Sequence, residues 1–222
     1  MNNPGNKPLM VLAGVGEGLG SALAARFVAG GYRVVGLSRS AREWALPGYF
    51  AMTCDLTKEA EVQATFEQIE RQHGQPAVVI HVVGDLLISP FLELSADAFE
   101  GVWRSMVLSA MLVSQQAIAR MLPAGHGALL FAGATASLRG GARFAAFASA
   151  KFALRGLAQS VAREFQSQGI HVAHVVLDGI IGVADDAELD PAALAESFWI
   201  LAHQPRSTWT HELDLRPQLE RF

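Results

Sequence analysis

The chain has 222 residues, of which 51% are hydrophobic and 17% are charged, and its formal net charge is −4 at pH 7. This length favours one domain with a large buried core, and the acidic balance argues against a nucleic-acid surface. The single cysteine, Cys54, excludes an internal disulfide and is typical of a reducing compartment.

The sequence contains no apolar run that approaches the length of a membrane span. The first eight residues are polar and carry no apolar signal-peptide core. We therefore expect residues 1–8 to be a disordered lead-in and residues 9–222 to form one domain. We also expect a cytoplasmic protein that has neither a nucleic-acid nor a membrane partner.

Short apolar runs alternate with longer amphipathic ones along the chain. The short runs predict strands at Leu9–Ala13, Arg33–Leu37, Phe50–Thr53, Ala77–Val83, Gly127–Ala132, His171–Leu177 and Glu212–Leu215. The longer runs predict helices at Leu19–Ala29, Lys58–His73, Ala96–Trp103, Val107–Met121, Phe144–Ser167 and Pro191–His203, with Asp190 as the N-cap of the last.

This alternation predicts an α/β fold, a Rossmann-type doubly wound parallel sheet with helices on both faces. Sheets of this kind bind ligands at the carboxyl ends of their strands. Residues that directly follow the predicted strands are therefore the candidates for function.

A glycine-rich turn, Ala13 to Gly20, follows the first predicted strand and precedes the first predicted helix. Glycines let the backbone turn sharply and approach a pyrophosphate, and the helix N-terminus supplies amide donors. A flexible turn without a ligand is the alternative. The position between a strand and a helix favours phosphate binding.

Two segments resemble the short-chain dehydrogenase/reductase family. Gly14, Gly18 and Gly20 match its Thr-Gly-x-x-x-Gly-x-Gly pattern, and Ala146–Lys151 is similar to its Tyr-Ser-Ala-Ser-Lys signature. The resemblance extends from Leu9 to about Gly179. It implies an oxidoreductase that uses a nicotinamide cofactor to transfer hydride to or from a small carbonyl or alcohol substrate.

The resemblance also implies four catalytic roles. Lys151 matches the lysine that binds the nicotinamide ribose, but the tyrosine position is Phe147, the serine position is Ala134 and the asparagine position is Met106. Each of these three replacements is apolar. A positioned general acid typically contributes about 10²–10⁴ in rate, so the usual ketone reduction should be lost.

Other residues carry over to cofactor binding. Ser38 and Arg39 end the second predicted strand, where an arginine suits the 2′-phosphate of NADP(H) and an acid would suit NAD(H). NADP(H) is therefore preferred, although Arg39 could be an ordinary surface base. Glu17 argues the other way, because NADP-preferring relatives often carry a base there.

Two further positions match the family's cofactor contacts. Asp55 resembles an adenine-contacting aspartate, or it caps the next helix. Gly84 remains from the family's Asn-Asn-Ala-Gly stretch.

Three polar residues could supply a displaced acid. Asp85 and Asp178 each come close after a predicted strand, and a carboxyl in an apolar cleft can act as an acid. Thr135 adjoins Ala134, so a one-residue slip would restore a hydroxyl. Each of the three could equally be a cap or turn residue.

The leading functional hypothesis is an NADP(H)-dependent oxidoreductase with a displaced acid, and the alternative is a catalytically silent cofactor-binding sensor or scaffold. The small substrate itself stays unknown. We expect a homodimer or homotetramer built on the helices at Val107–Met121 and Phe144–Ser167, and no metal site. His81 and His174 lie within predicted strands and are expected to be hydrogen-bonded core residues.

Overall fold

The computed structural model of the chain describes residues 7–183 and 188–219. Its strands are β1 (Leu9–Ala13), β2 (Arg33–Ser38), β3 (Tyr49–Thr53), β4 (Pro76–His81), β5 (Gly127–Ala132), β6 (Ile170–Leu177), β7 (Ile180–Ile181), β8 (Glu188–Leu189) and β9 (Glu212–Leu215). Its α-helices are α1 (Leu19–Ala29), α2 (Glu59–His73), α3 (Ala96–Trp103), α4 (Ser109–Met121), α5 (Ala145–Phe165) and α6 (Pro191–Ala202).

Seven of these strands form one parallel sheet in the order β3-β2-β1-β4-β5-β6-β9, and β7 pairs with β8 beside it. The chain winds outward from β1 in one direction and then from β4 in the other. The strand order therefore reverses between β1 and β4, where ligands bind in sheets of this type. The predicted single-domain Rossmann fold is confirmed.

The alternating side chains of the strands feed two cores, one on each face of the sheet. Met10 and Leu12 of β1 pack with α1 and α6, whereas Leu9, Val11 and Ala13 pack with α2, α4 and α5. All five of these side chains are buried. Because both faces of the strand are covered, β1 is a continuous apolar run rather than an alternating one.

The boundaries of all the predicted elements agree with the structure to within two residues, and two of the central differences are informative. The strand predicted at Ala77–Val83 ends at His81 in the structure. The Val82 amide still donates to the Ala13 carbonyl of β1, at 2.9 Å, but the chain then leaves the sheet. The predicted helix Val107–Met121 begins at Ser109 and follows a π-helical turn at Arg104–Leu108. Such turns are rare and are frequent at functional sites.

The ends of the chain are described only in part. Of the expected lead-in, residues 1–6 lie outside the described residues, while Pro8 accepts a bond from the Arg33 amide at 2.9 Å and is fixed to the start of β2. Asp190 caps α6 as predicted, since its Oδ1 accepts from the Ala192 amide at 2.8 Å. None of the described helices is long and apolar enough to cross a membrane.

A substitution at Phe27 tests how much the packing of α1 against α6 contributes to stability. The side chain is fully buried, and its ring lies 5.3 Å from Tyr32 and 5.1 Å from Trp199. We expect Phe27→Ala to lower the free energy of unfolding by about 3–5 kcal/mol, measured by urea denaturation, because it leaves a cavity between the helices. Phe50→Ala is the control, because Phe50 is 40% exposed and should cost well under half as much. Equal losses would contradict this account of the core.

Candidate functional site

A cleft of about 1300 Å³ opens at the carboxyl ends of the central strands. The structure brings most of the predicted site residues to its wall: Gly14, Gly18, Gly20, Ser38, Arg39, Asp55, Gly84, Asp85, Ala134, Thr135, Phe147 and Lys151. Met106 and Asp178 are fully buried and are not part of the lining.

Two features define the glycine turn: the backbone at Gly14 lies close to Val83, and the N-terminus of α1 has no side-chain cap. Gly14 has φ +94°, and a Cβ there would lie 2.5 Å from Cγ2 of Val83. Gly18 is the N-cap of α1, with φ 77°, and, because glycine has no side chain, it leaves the first amides of the helix without a side-chain cap. These amides are thus available to an anion in the cleft, where the positive end of the helix dipole also points.

The segment after β2 concentrates positive charge at the cleft. Ser38 Oγ donates to the Ser40 carbonyl at 2.5 Å, and Arg39 is exposed at the cleft wall. Arg42 also lines the cleft, with Nη1 3.9 Å from Oε1 of Glu17, whose side chain is 90% exposed. Sequence reasoning missed Arg42, although a second arginine three residues after Arg39 was a visible signal. The charge of Arg42 offsets that of Glu17, which was the argument against NADP.

Asp55 forms the turn that follows β3. Its Oδ1 accepts from both the amide and the hydroxyl of Thr57, at 3.0 Å and 2.7 Å. The Thr57 hydroxyl bond holds the pKa of Asp55 below its usual value. The N-cap of α2 is Lys58, so Asp55 shapes the preceding turn and lines the cleft rather than capping the helix.

Lys151 is buried in the wall between the ends of β4 and β5. Its Nζ donates to the Ala132 carbonyl at 2.9 Å and to the Val83 carbonyl at 3.4 Å. The ring centroid of Phe147, one helical turn earlier, lies 5.8 Å from Nζ. Burial lowers the pKa of Lys151 to about 8.

The three apolar positions lie in different surroundings. Phe147 and Ala134 line the cleft. Met106 is fully buried within the π-helical turn and packs with Val102 and Ala150. The side chain of Met106 therefore fills the space beside the turn with apolar atoms.

Two histidines are hydrogen-bonded in the core, as predicted. His81 Nε2 lies 2.8 Å from Oγ of Ser109, and His174 Nε2 lies 3.3 Å from Oγ of Ser137. Burial lowers the pKa of His81 to about 3 and that of His174 to about 4. Ser137 also accepts from the Ala134 amide at 3.1 Å, so His174 braces the turn that carries Ala134.

The two candidate aspartates have different environments. Asp178 is fully buried, and it accepts from the Thr135 hydroxyl at 2.5 Å and lies 3.5 Å from Arg139 and 3.3 Å from Arg216. The Thr135 hydroxyl is thus engaged with a carboxylate behind the wall. Asp85 is half-buried, lines the cleft and accepts from the Ser105 hydroxyl at 2.7 Å.

Ser105 also lines the cleft, and sequence reasoning did not identify it. It lies in the π-helical turn, 20 residues from Asp85 in the chain. No local pattern connects two residues at that separation.

Comparisons with known proteins agree with this architecture. Residues 8–188 match the family described as short chain dehydrogenase. Carbonyl reductase family member 4 of Danio rerio is 28% identical over 222 residues, which covers 90% of this chain and 93% of that protein. A solved short-chain dehydrogenase from Rhodopseudomonas palustris is 35% identical with a TM-score of 0.86, covering 96% of this chain and 99% of its own.

A metagenomic short-chain oxidoreductase, solved in complex with NADP, has the same fold at 22% identity, with a TM-score of 0.85 and coverage of 96% of this chain and 98% of its own. The family match spans most of the chain, and the sheet order and the cleft at its switch point accompany it. The chain therefore belongs to the short-chain dehydrogenase family.

Proposed function

We propose that the chain binds NADP(H) in the cleft and is an oxidoreductase that acts on a small carbonyl or alcohol substrate without the tyrosine acid of its family. The observation that carries this proposal is that three binding elements meet in one cleft. They are the amide-rich end of α1, the arginines after β2 and the buried amine of Lys151. The carbonyl reductase relative supports the substrate class, and the NADP-bound relative supports the cofactor.

The described residues fit a dinucleotide. A Cβ on Gly16, Gly18 or Gly84 would meet no atom within 4 Å, so the backbone is open to a ligand at these points. The α1 amides would hold the pyrophosphate, and Asp55 would lie beside the adenosine. Lys151, with two N–H groups bound to carbonyls, keeps a third donor for ribose hydroxyls. When bound, the nicotinamide ring supplies or accepts a hydride.

The cofactor preference rests on charge at the end of β2. Arg39 and Arg42 face the cleft, where a hydroxyl-binding acid would stand in an NAD(H) site. Guanidinium groups pair with phosphate oxygens through two parallel donors. NADP(H) is therefore the proposed cofactor.

Calorimetric titration with NADPH and NADH tests this assignment. We expect Arg39→Ala to weaken NADPH binding by about 10- to 100-fold, because a charged hydrogen bond to the 2′-phosphate is lost, and to leave NADH binding unchanged. Arg71→Ala, on the exposed side of α2, is the matched control and should bind both as wild type does. Failure of wild type to bind any nicotinamide dinucleotide would overturn the proposal.

Asp85 is the proposed acid. It is half-buried, lines the cleft and, within the described parts of the chain, accepts one hydrogen bond at its carboxyl group, from the Ser105 hydroxyl. Asp178 is fully buried and lies in contact with the Thr135 hydroxyl and with the guanidinium groups of Arg139 and Arg216. Asp178 therefore holds the turn that contains Thr135 in place. The Thr135 hydroxyl donates its proton to Asp178, so it is not available to a substrate in the cleft.

Turnover measurements separate the two aspartates. With NADPH and a panel containing an aromatic aldehyde, an α-diketone and a 3-oxoacyl thioester, Asp85→Asn should lower kcat by about 10²- to 10⁴-fold with NADPH affinity retained. Asp178→Asn should chiefly lower the denaturation midpoint, because it leaves two arginines without their buried carboxylate. A fully active Asp85→Asn enzyme would contradict the assignment.

The second candidate is a cofactor-binding protein without turnover. It is favoured by the coincidence of Phe147, Ala134 and Met106, which leaves no phenol, serine hydroxyl or amide at the three positions that the resemblance marks. If this alternative holds, wild type binds NADPH but reduces nothing in the panel. The double variant Phe147→Tyr with Ala134→Ser would then gain reductase activity.

We further propose that the chain assembles as a homodimer or homotetramer. Phe99 and Trp103 of α3 and Phe152 of α5 are 39%, 40% and 43% exposed, and α3 packs on α5. An apolar surface of this kind is typical of a subunit contact. Light scattering after size-exclusion chromatography gives the mass directly, and a monomer at micromolar concentration would contradict the proposal.

A further inference from the structure

Lys151 is a buried amine that has no anionic partner among the residues that the structure describes. Within residues 7–183 and 188–219, no carboxylate oxygen lies within 4.0 Å of its Nζ, and its bonds go to the carbonyls of Ala132 and Val83. The positive charge of Lys151 acts on two histidines, His81 on β4 and His174 on β6, and helps to lower the pKa of each. Burial lowers the pKa of His81 to about 3 and that of His174 to about 4, so both rings are neutral at physiological pH.

The two carbonyls also orient the amine. A neutral amine has two N–H donors and one lone pair, and the carbonyls of Ala132 and Val83 can take both donors. Lys151 and Phe147 both line the cleft, and Nζ lies 5.8 Å from the centroid of the Phe147 ring. With both N–H groups bound to carbonyls, the nitrogen lone pair is free to react with a molecule in the cleft. The neighbouring Phe147 ring has no proton to donate to it.

We infer that Lys151 is a nucleophilic amine that forms an imine with a small aldehyde entering the cleft when no dinucleotide occupies it. The Nζ lone pair adds to the carbonyl carbon, and one amine proton moves to the carbonyl oxygen to give a carbinolamine. The hydroxyl then leaves with the second amine proton as water, and a carbon–nitrogen double bond remains. No oxidant or reductant is needed for this step. Desolvated lysines in apolar pockets are activated in this way.

The chain offers a clean test because it contains three lysines, Lys7, Lys58 and Lys151. Lys58 is an exposed control whose pKa is raised by its bond to Glu61. Burial lowers the pKa of Lys151 to about 8, so about half of its amine is neutral at pH 8. An exposed lysine at that pH is under about 1% neutral.

The experiment treats the wild-type protein with propanal and cyanoborohydride, which traps the imine as a propyl amine, and maps the lysine peptides by mass spectrometry. We expect Lys151 to be labelled on the order of tenfold or more faster than Lys58 at pH 8, since its larger neutral fraction outweighs its lower basicity. Its rate should be half-maximal near pH 8, as the pKa of Lys151 implies, and its advantage should vanish in urea. Labelling of Lys151 no faster than Lys58 would overturn the inference, as would a half-maximal rate above about pH 10.

Saturating NADPH separates this inference from the proposed cofactor site. Slower labelling of Lys151, with Lys58 unchanged, would support both, because the dinucleotide would cover Nζ. Fast labelling that NADPH does not slow would support imine formation by Lys151 but would contradict the proposal that Lys151 contacts the ribose of the cofactor. The calorimetric titration would then decide cofactor binding independently.

Discussion

The close approach of the turn after β1 to the end of β4 sets the geometry of the whole cleft. A side chain on Gly14 would overlap Val83, and the amides of Gly14 and Val15 both donate to the Leu37 carbonyl, at 2.9 Å and 3.0 Å. The turn is thereby held between β2 and β4. Displacing Val83 would also displace a carbonyl that Lys151 binds, so the dinucleotide turn and the lysine depend on one contact.

Lys151 connects parts of the fold that are distant in sequence. It belongs to α5, its ammonium reaches the ends of β4 and β5, and it closes the wall against Phe147. Burying a charged amine without a counter-ion costs free energy. Two carbonyl acceptors offset part of this cost, and burial lowers the pKa of Lys151 so that the neutral amine is more readily formed. A phenol at position 147 would change the polarity beside this amine, so the identity of that residue governs how the amine behaves.

Local patterns predicted the fold well, because strands and helices follow from periodicity and from the glycine turn. Lys151 and Phe147 could be placed on one face of a helix for the same reason. The remaining features depend on contacts between distant segments. The bond between Thr135 and Asp178 spans 43 residues, and that between Asp85 and Ser105 spans 20. The π-helical turn at Arg104–Leu108 joins α3 to α4, two helices that the hydrophobic pattern predicts as separate, and that pattern gives no sign of a π-helical turn between them.

The two aspartates illustrate why position after a strand is insufficient to assign chemistry. Asp178 follows β6, which β9 covers on its outer side, and Arg216 comes from the segment just after β9. The added strand thus brings a cation to the carboxylate and closes it from solvent. Asp85 comes four residues after the end of β4, beside the point between β1 and β4 where the winding reverses, and its side chain lines the cleft. Two carboxyls that each come soon after a strand therefore have different surroundings, because one lies where the sheet continues and the other lies where its winding reverses.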